Sequence, residues 1–147
     1  MPAAFQPFTV EGAYHVRVLG PDCGPPRGAD LCRLFPGDRL TTDRRQRLHE
    51  GSRIVISWAD RIVAVGAYRF NDRELRITDI GLDVDSACGT DEVLGVLLES
   101  CELACLAAGC RRVVLIAPRE ASLASLRRRG YEIVRESCAG SWIEKQF

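Results

Sequence analysis

Hydrophobic and polar positions change their period several times along the chain, and each change marks an element. "AYHVRVLG" (13–20) alternates and predicts a strand. "PDCGPPRGAD" (21–30) is read as a loop, because its prolines and glycines exclude regular structure. "ADLCRLF" predicts a short helix stopped near Pro36. "TTDRRQRLHEG" (41–51), with a capping Thr, an early Asp and a terminal Gly, predicts another. "RIVISWA" (53–59) and "IVAVGAYRF" (62–70) are strand runs that meet at Asp60-Arg61, as in an antiparallel hairpin. "ELRITDIGLDVD" (74–85) predicts a third strand after an "NDR" turn. Alternation there puts Ile80, Leu82 and Val84 on one face and Asp79, Gly81 and Asp83 on the other.

From about Thr90 to Ala108 the period becomes helical. Leu94, Leu97, Leu98, Cys101, Cys105 and Ala108 follow it, while Leu103 and Leu106 widen the apolar surface. That breadth predicts a helix covered on more than one side, stopped by Gly109. "RRVVLIA" (111–117) is a continuous apolar run, hence a buried strand. Strand, helix, strand in that order implies a parallel crossover. "EASLASLRRRG" (120–130) predicts a further helix whose Arg127, Arg128 and Arg129 complement the helix dipole; the alternative is a phosphate or nucleic-acid contact. "YEIVRES" and "SWIEKQF" are two last strands around Ala139-Gly140. With no internal repeat or linker, the expectation is a single α/β domain over 1–147. Its sheet is expected to be mixed, mostly antiparallel, of six or seven strands flanked by helices.

Composition alters this picture little. Twenty basic residues balance twenty acidic ones, which argues against a general affinity for nucleic acid or an anionic membrane. Only Lys145 among the basic residues is lysine, read as a coding bias. The start of the chain lacks the features of a signal peptide, and no stretch approaches the ~20 apolar residues of a spanning helix. A cytoplasmic location is therefore the default expectation. Seven cysteines in such a setting are expected as thiols. Cys101 and Cys105 lie one helical turn apart, but no second pair, His15 or His49 stands near them in sequence. They are read as buried small hydrophobes, with no metal site expected.

The stretch "VDSACGTDEVLGVLLESC" (84–101) is a strand end, a turn and a helix start. Helix starts favour anions through unpaired amides and the dipole. This one carries Asp91 and Glu92, which already complement the dipole. A phosphate ~5 Å from one of these charges would lose about 0.8 kcal/mol in water-like surroundings and about 3 kcal/mol at an effective dielectric of 20.

The order of elements resembles that of the GNAT acyltransferase superfamily, best from Ser52 to Phe147 and more loosely before. "GLDVD" looks like the end of that family's fourth strand. "LLESCELACLAAGCRRVVL" matches the spacing of its central helix and fifth strand, and "ASLASLRRRGYEI" resembles its later helix with a Gly-aromatic ending. The resemblance implies acetyl-CoA or another acyl-CoA held between splayed strands 74–85 and 111–117, with the backbone around Leu82 and Val84 pairing with the pantetheine arm. It implies a turn Arg/Gln-x-x-Gly-x-Gly/Ala whose amides hold the pyrophosphate. Counted back from Leu97-Leu98, that turn falls on Gly89 to Leu94, with Gly89, Glu92 and Leu94 at the three motif positions. A one-residue shift brings in Gly95 but puts Val93 at the first glycine, so the motif is degraded in either register. Gly89 and Thr90 are then the residues left to carry a phosphate, with Arg119 as a further contact or a solvated arginine. The position where the family often has a general-acid tyrosine is Leu126, and Tyr131 matches a packing aromatic. Asp79 and Asp83 are the candidate general bases if their face lines the cleft; the alternative is a salt-bridged carboxylate. Cys88 has no His neighbour in sequence to make it a nucleophile.

Two functions stay open. One is an N-acetyltransferase moving an acetyl or acyl group from acyl-CoA to a small-molecule or peptide amine. The other is a lapsed GNAT-fold module that binds or regulates without the usual CoA chemistry. Neither implies a nucleic-acid or membrane partner, and the apolar helix and final strands are compatible with a homodimer.

Overall fold

Alternating and helical spacing sort the chain into strands β1 (Phe8–Val10), β2 (Tyr14–Leu19), β3 (Ser52–Trp58), β4 (Arg61–Asn71), β5 (Glu74–Leu82), β6 (Arg112–Ile116), β7 (Glu132–Ser137) and β8 (Gly140–Gln146). The helices are α1 (Gly28–Leu34), α2 (Thr42–Glu50), α3 (Thr90–Ala107) and α4 (Leu123–Arg128). The computed structural model describes residues 8–10, 14–24, 26–86 and 88–147. All eight strands join one sheet in the order β1-β2-β3-β4-β5-β6-β8-β7. β5 and β6 run parallel, joined by the α3 crossover, and the other pairs are antiparallel.

Period-2 alternation divides the sheet into two faces. On one, Val16, Ile54, Ile56, Leu75 and Ile77 pack with Leu94, Leu97, Leu98, Cys101 and Cys105 of α3. The approach is close enough that a Cβ on Gly66 would lie 3.0 Å from a Leu97 methyl. On the other face Val55, Val65 and Ala67 pack with Leu31 and Leu34 of α1, Phe35 just after it and Leu48 of α2. The Thr41 side chain accepts from the Arg44 amide and starts α2, as its sequence signature required.

Some expectations shift. The short β1 makes eight strands where six or seven were expected. α1 begins at Gly28, inside the stretch read as loop, and residues 21–23 form a 3-10 turn. α4 is shorter than 120–130, because Ser122 accepts from the Ser125 amide and sets its start. α3 is not covered all round: Leu103 and Leu106 are about half exposed. β5 ends at Leu82, so Val84 sits exposed in the following turn. Cys101 and Cys105 are buried in the core, and burial pushes the Cys105 thiol up to about 11.

Candidate active site

The cleft arises from a failure of pairing. β5 and β6 stay in register only over Glu74↔Arg112, Leu75↔Val113 and Arg76↔Val114. Beyond that point β6 continues against β8 as far as Ile116↔Trp142, and β5 continues against β4 as far as Leu82↔Ala64. The two strands diverge, and the β5 edge from Ile77 to Leu82 faces a cavity of about 460 Å³. A bulge between Ala67 and Tyr68 of β4 falls at Thr78 and re-aims β5 at this point. α1 closes the cleft from above with Leu34 and Phe35. A Cβ on Gly81 would lie 2.7 Å from the Phe35 ring, so glycine is required for that approach. The following loops supply Asp38 and Arg39 on one side and Arg119 and Glu120 on the other.

Asp79 reaches the cleft, but its carboxylate is engaged. Its Oδ1 accepts from Arg44 Nε at 2.9 Å and Arg47 Nη2 at 2.8 Å, and its Oδ2 from Arg47 Nε at 2.8 Å. Burial alone would raise its pKa. The hydrogen bonds from Arg47 and then Arg44 outweigh burial and hold it below the ordinary carboxylate value. Such a group stays ionised yet accepts a proton poorly. Asp83 lies outside the cleft lining, where its Oδ2 accepts from Arg61 Nε at 2.8 Å and Arg33 Nε at 3.2 Å. The Asp85 amide donates to its Oδ1 at 3.1 Å. The geometry of both residues is that of structural ion pairs.

Among the expected cofactor contacts, Leu82 and Arg119 line the cleft, whereas Val84 points to solvent. Gly89 is the N-cap of α3 and Thr90 its first residue. No side chain caps that helix, and a Cβ on Gly89 would meet nothing within 4 Å. The turn is therefore open, with first-turn amides free of side-chain partners. Asp91 and Glu92 are exposed there. The Tyr14 hydroxyl lies beside the Cys88 thiol and the Glu92 carboxylate; burial and then these two neighbours raise its pKa above the ordinary value. One turn further along, the Arg129 guanidinium covers Gly95, close enough that a Cβ would meet it at 2.2 Å.

The later motif contributes packing. Leu126 is buried. Tyr131 is buried too, and its hydroxyl donates to Glu102 Oε2 at 3.0 Å, beside Lys145 Nζ on Oε1 at 2.7 Å. Sequence reading missed Phe35, Asp38, Arg39, Arg44, Arg47 and Glu120. They come from segments of weak pattern, and an Arg39–Glu120 ion pair spans 81 positions. The one available signal was the run of arginines in 44–47, with an acid, Asp79, between the apolar Ile77 and Ile80 of β5.

No protein-family model matches the chain. No curated protein matches it. Solved structures do. An IAA acetyltransferase from Bacillus cereus superposes with a TM-score of 0.68 at 11% identity, over 92% of this chain and 100% of that one. A GNAT family acetyltransferase from Elizabethkingia anophelis, with acetyl-CoA bound, gives 0.65 at 14% identity, over 90% and 98%. The PaiA N-acetyltransferase from Thermoplasma acidophilum, in complex with coenzyme A, gives 0.55 at 11% identity; this chain is covered over 65% and spans 60% of that one. The chain thus has the GNAT acetyltransferase fold. Within the described residues, no helix is long and apolar enough to cross a membrane.

Proposed function

We propose that this chain is a divergent GNAT-family acyltransferase that binds acyl-CoA between β5 and β6 and transfers the acyl group to an amine. The observation that carries the proposal is the wedge: three paired residues, then an unpaired β5 edge along a cavity of about 460 Å³. An acyl thioester bound there supplies the electrophilic carbonyl. Outward amides of the 77–82 edge serve two ends, pairing with an extended amide-bearing arm and aiming a donor at the carbonyl oxygen. Leu82, Ile116 and Phe35 exclude water from this edge. Arg119 and the open turn at Gly89 and Thr90 are left for the phosphates, and Arg129 over Gly95 adds a positive charge nearby. Because Asp79 is held by two arginines, the proton from the amine passes to water or to Glu120, which is bound to a single arginine at the cleft mouth.

A second reading rests on a separate observation. Leu126, which the resemblance puts at the position of the general-acid tyrosine, is buried, and Asp79 is committed to ion pairs. A lapsed module would keep the wedge without turnover. Calorimetry with acetyl-CoA, followed by thiol release with a panel of small and peptide amines, separates the two. Saturable binding with turnover supports the transferase. Binding without turnover on any amine supports the lapsed module. No binding at millimolar acetyl-CoA removes acyl-CoA from both.

Assembly as a homodimer belongs to this proposal. β7 ends the sheet and exposes Val134 at a bulge. Light scattering should give twice the chain mass for the wild type and the chain mass for Val134→Asp; a wild-type monomer at all concentrations refutes the pairing.

A further inference from the structure

On the far side of α1, the same sheet face carries a second groove of about 820 Å³ over β2, β3 and the start of β4. It shares no lining residue with the β5–β6 cleft. Five arginines line it against two aspartates. Two of the five are already neutralised, since Arg33 and Arg61 hold Asp83 and Arg33 also holds Asp30. Arg17 and Arg53 form no ion pair among the described residues.

Arg53 is the anomaly. It is only 2% exposed, yet it stands near the start of β3, in register with Leu19 at the end of β2. Its Nη1 donates to the Leu48 carbonyl at 3.2 Å and its Nη2 to the Gly24 carbonyl. These bonds tie the end of α2 to the loop before α1. Among the described residues, its buried Nε has no hydrogen-bond partner. Neutral carbonyls do not offset a buried cation, which ordinarily requires a counter-charge. Burial lowers the Arg53 pKa, with Cys23 acting against it and Arg17 adding to it. The chain has one acid outside the described residues, Glu11.

A purely structural role for Arg53 accounts for its two carbonyl bonds. It accounts neither for the orphaned Nε nor for a second uncompensated arginine beside it. We propose that this groove is a binding site for a small oxyanion-bearing ligand, a carboxylate or a phosphate ester, seated between Arg53 and Arg17. A planar guanidinium suits two-point contact with either oxyanion, and the buried Nε of Arg53 is a donor without a partner among the described residues. Ser57 and His15 on the neighbouring strand positions offer further polar contacts for the rest of the ligand.

The test is calorimetry on the full chain with inorganic phosphate and, separately, succinate, at constant ionic strength set with chloride. One saturable site of submillimolar affinity is expected for at least one of them. Tighter phosphate identifies a phosphate ligand, and tighter succinate a carboxylate. Arg17→Gln should weaken binding at least tenfold, and Arg53→Met should abolish it. Arg119→Gln, in the other cleft, should leave it unchanged. Arg17→Gln leaves the buried carbonyl ties intact, so it decides the matter if Arg53→Met fails to fold. The proposal is overturned if neither anion saturates, or if Arg17→Gln binds like the wild type. It is equally overturned if Arg119→Gln alone loses binding, which would place the anion in the acyl-CoA cleft. Binding of a polyanion such as RNA with neither small anion bound also rejects it.

Discussion

Asp79 shows how one residue can serve the fold at the expense of chemistry. Three guanidinium hydrogen bonds fix its carboxylate between α2 and β5. Asp79→Asn should destabilise the protein by about 1–2 kcal/mol, because charge-assisted hydrogen bonds to a buried carboxylate are weakened while the two arginines remain partly solvated. Chemical denaturation reads this directly. The sign with pH follows from a folded pKa below the unfolded value near 3.8. The contribution is complete above that value and is lost as pH falls through the lower folded one. The acid limb of the wild-type stability curve should therefore flatten in Asp79→Asn. The glycines make a matched pair. Gly81→Ala drives a Cβ into the Phe35 ring and to 3.0 Å from Leu34 Cβ, both on a packed helix. We expect a loss of about 1–3 kcal/mol. Gly95→Ala meets only the end of the Arg129 side chain, which can swing aside, so urea midpoints should separate the two variants clearly.

At the scale of elements, the proposed acyl-CoA site makes the start of α3 the place where a diphosphate would meet Asp91 and Glu92. Exposure of Asp91 and Glu92 selects the water-like estimate over the buried one, about 0.8 kcal/mol for each charge at ~5 Å. Replacing both, as Asp91→Asn with Glu92→Gln, should tighten acetyl-CoA binding by roughly fourfold per charge. The same change should weaken the helix by about 0.3–1 kcal/mol per residue, since the acids complement its dipole. Calorimetry and thermal melts on one double variant thus move in opposite directions. Unchanged affinity would show that the acids are not the obstacle. The turn and its two acids were visible in the residues. Its openness was not, because a missing cap and the empty space at Gly89 depend on where the chain goes next.

Across the whole molecule, the wedge is the property that matters. Hydrogen exchange should be faster for the β5 amides that face β6 beyond Arg76 than for those paired with β4, and acetyl-CoA should slow them. Uniform protection along β5 without ligand would mean that the edge is not open. The assignment of strands and faces was largely legible, since burial enforces a period that a sequence must show. Asp79 and Gly81 could thus be placed opposite Ile80 and Leu82. What covers that face was not legible: Arg44, Arg47 and Phe35 lie 32 to 46 positions away in segments with little periodicity.

The order of strands and helices, the central helix and the acids at its start were determined by local pattern alone. They depend on spacings of one to four residues, which any stretch of chain carries with it. The divergence of β5 from β6, the double ion pairing of Asp79 and the burial of Arg53 beside Arg17 were decided only by the tertiary structure. Each depends on residues brought together by the sheet, and no local period records which distant charge will arrive, or fail to arrive, beside a buried one.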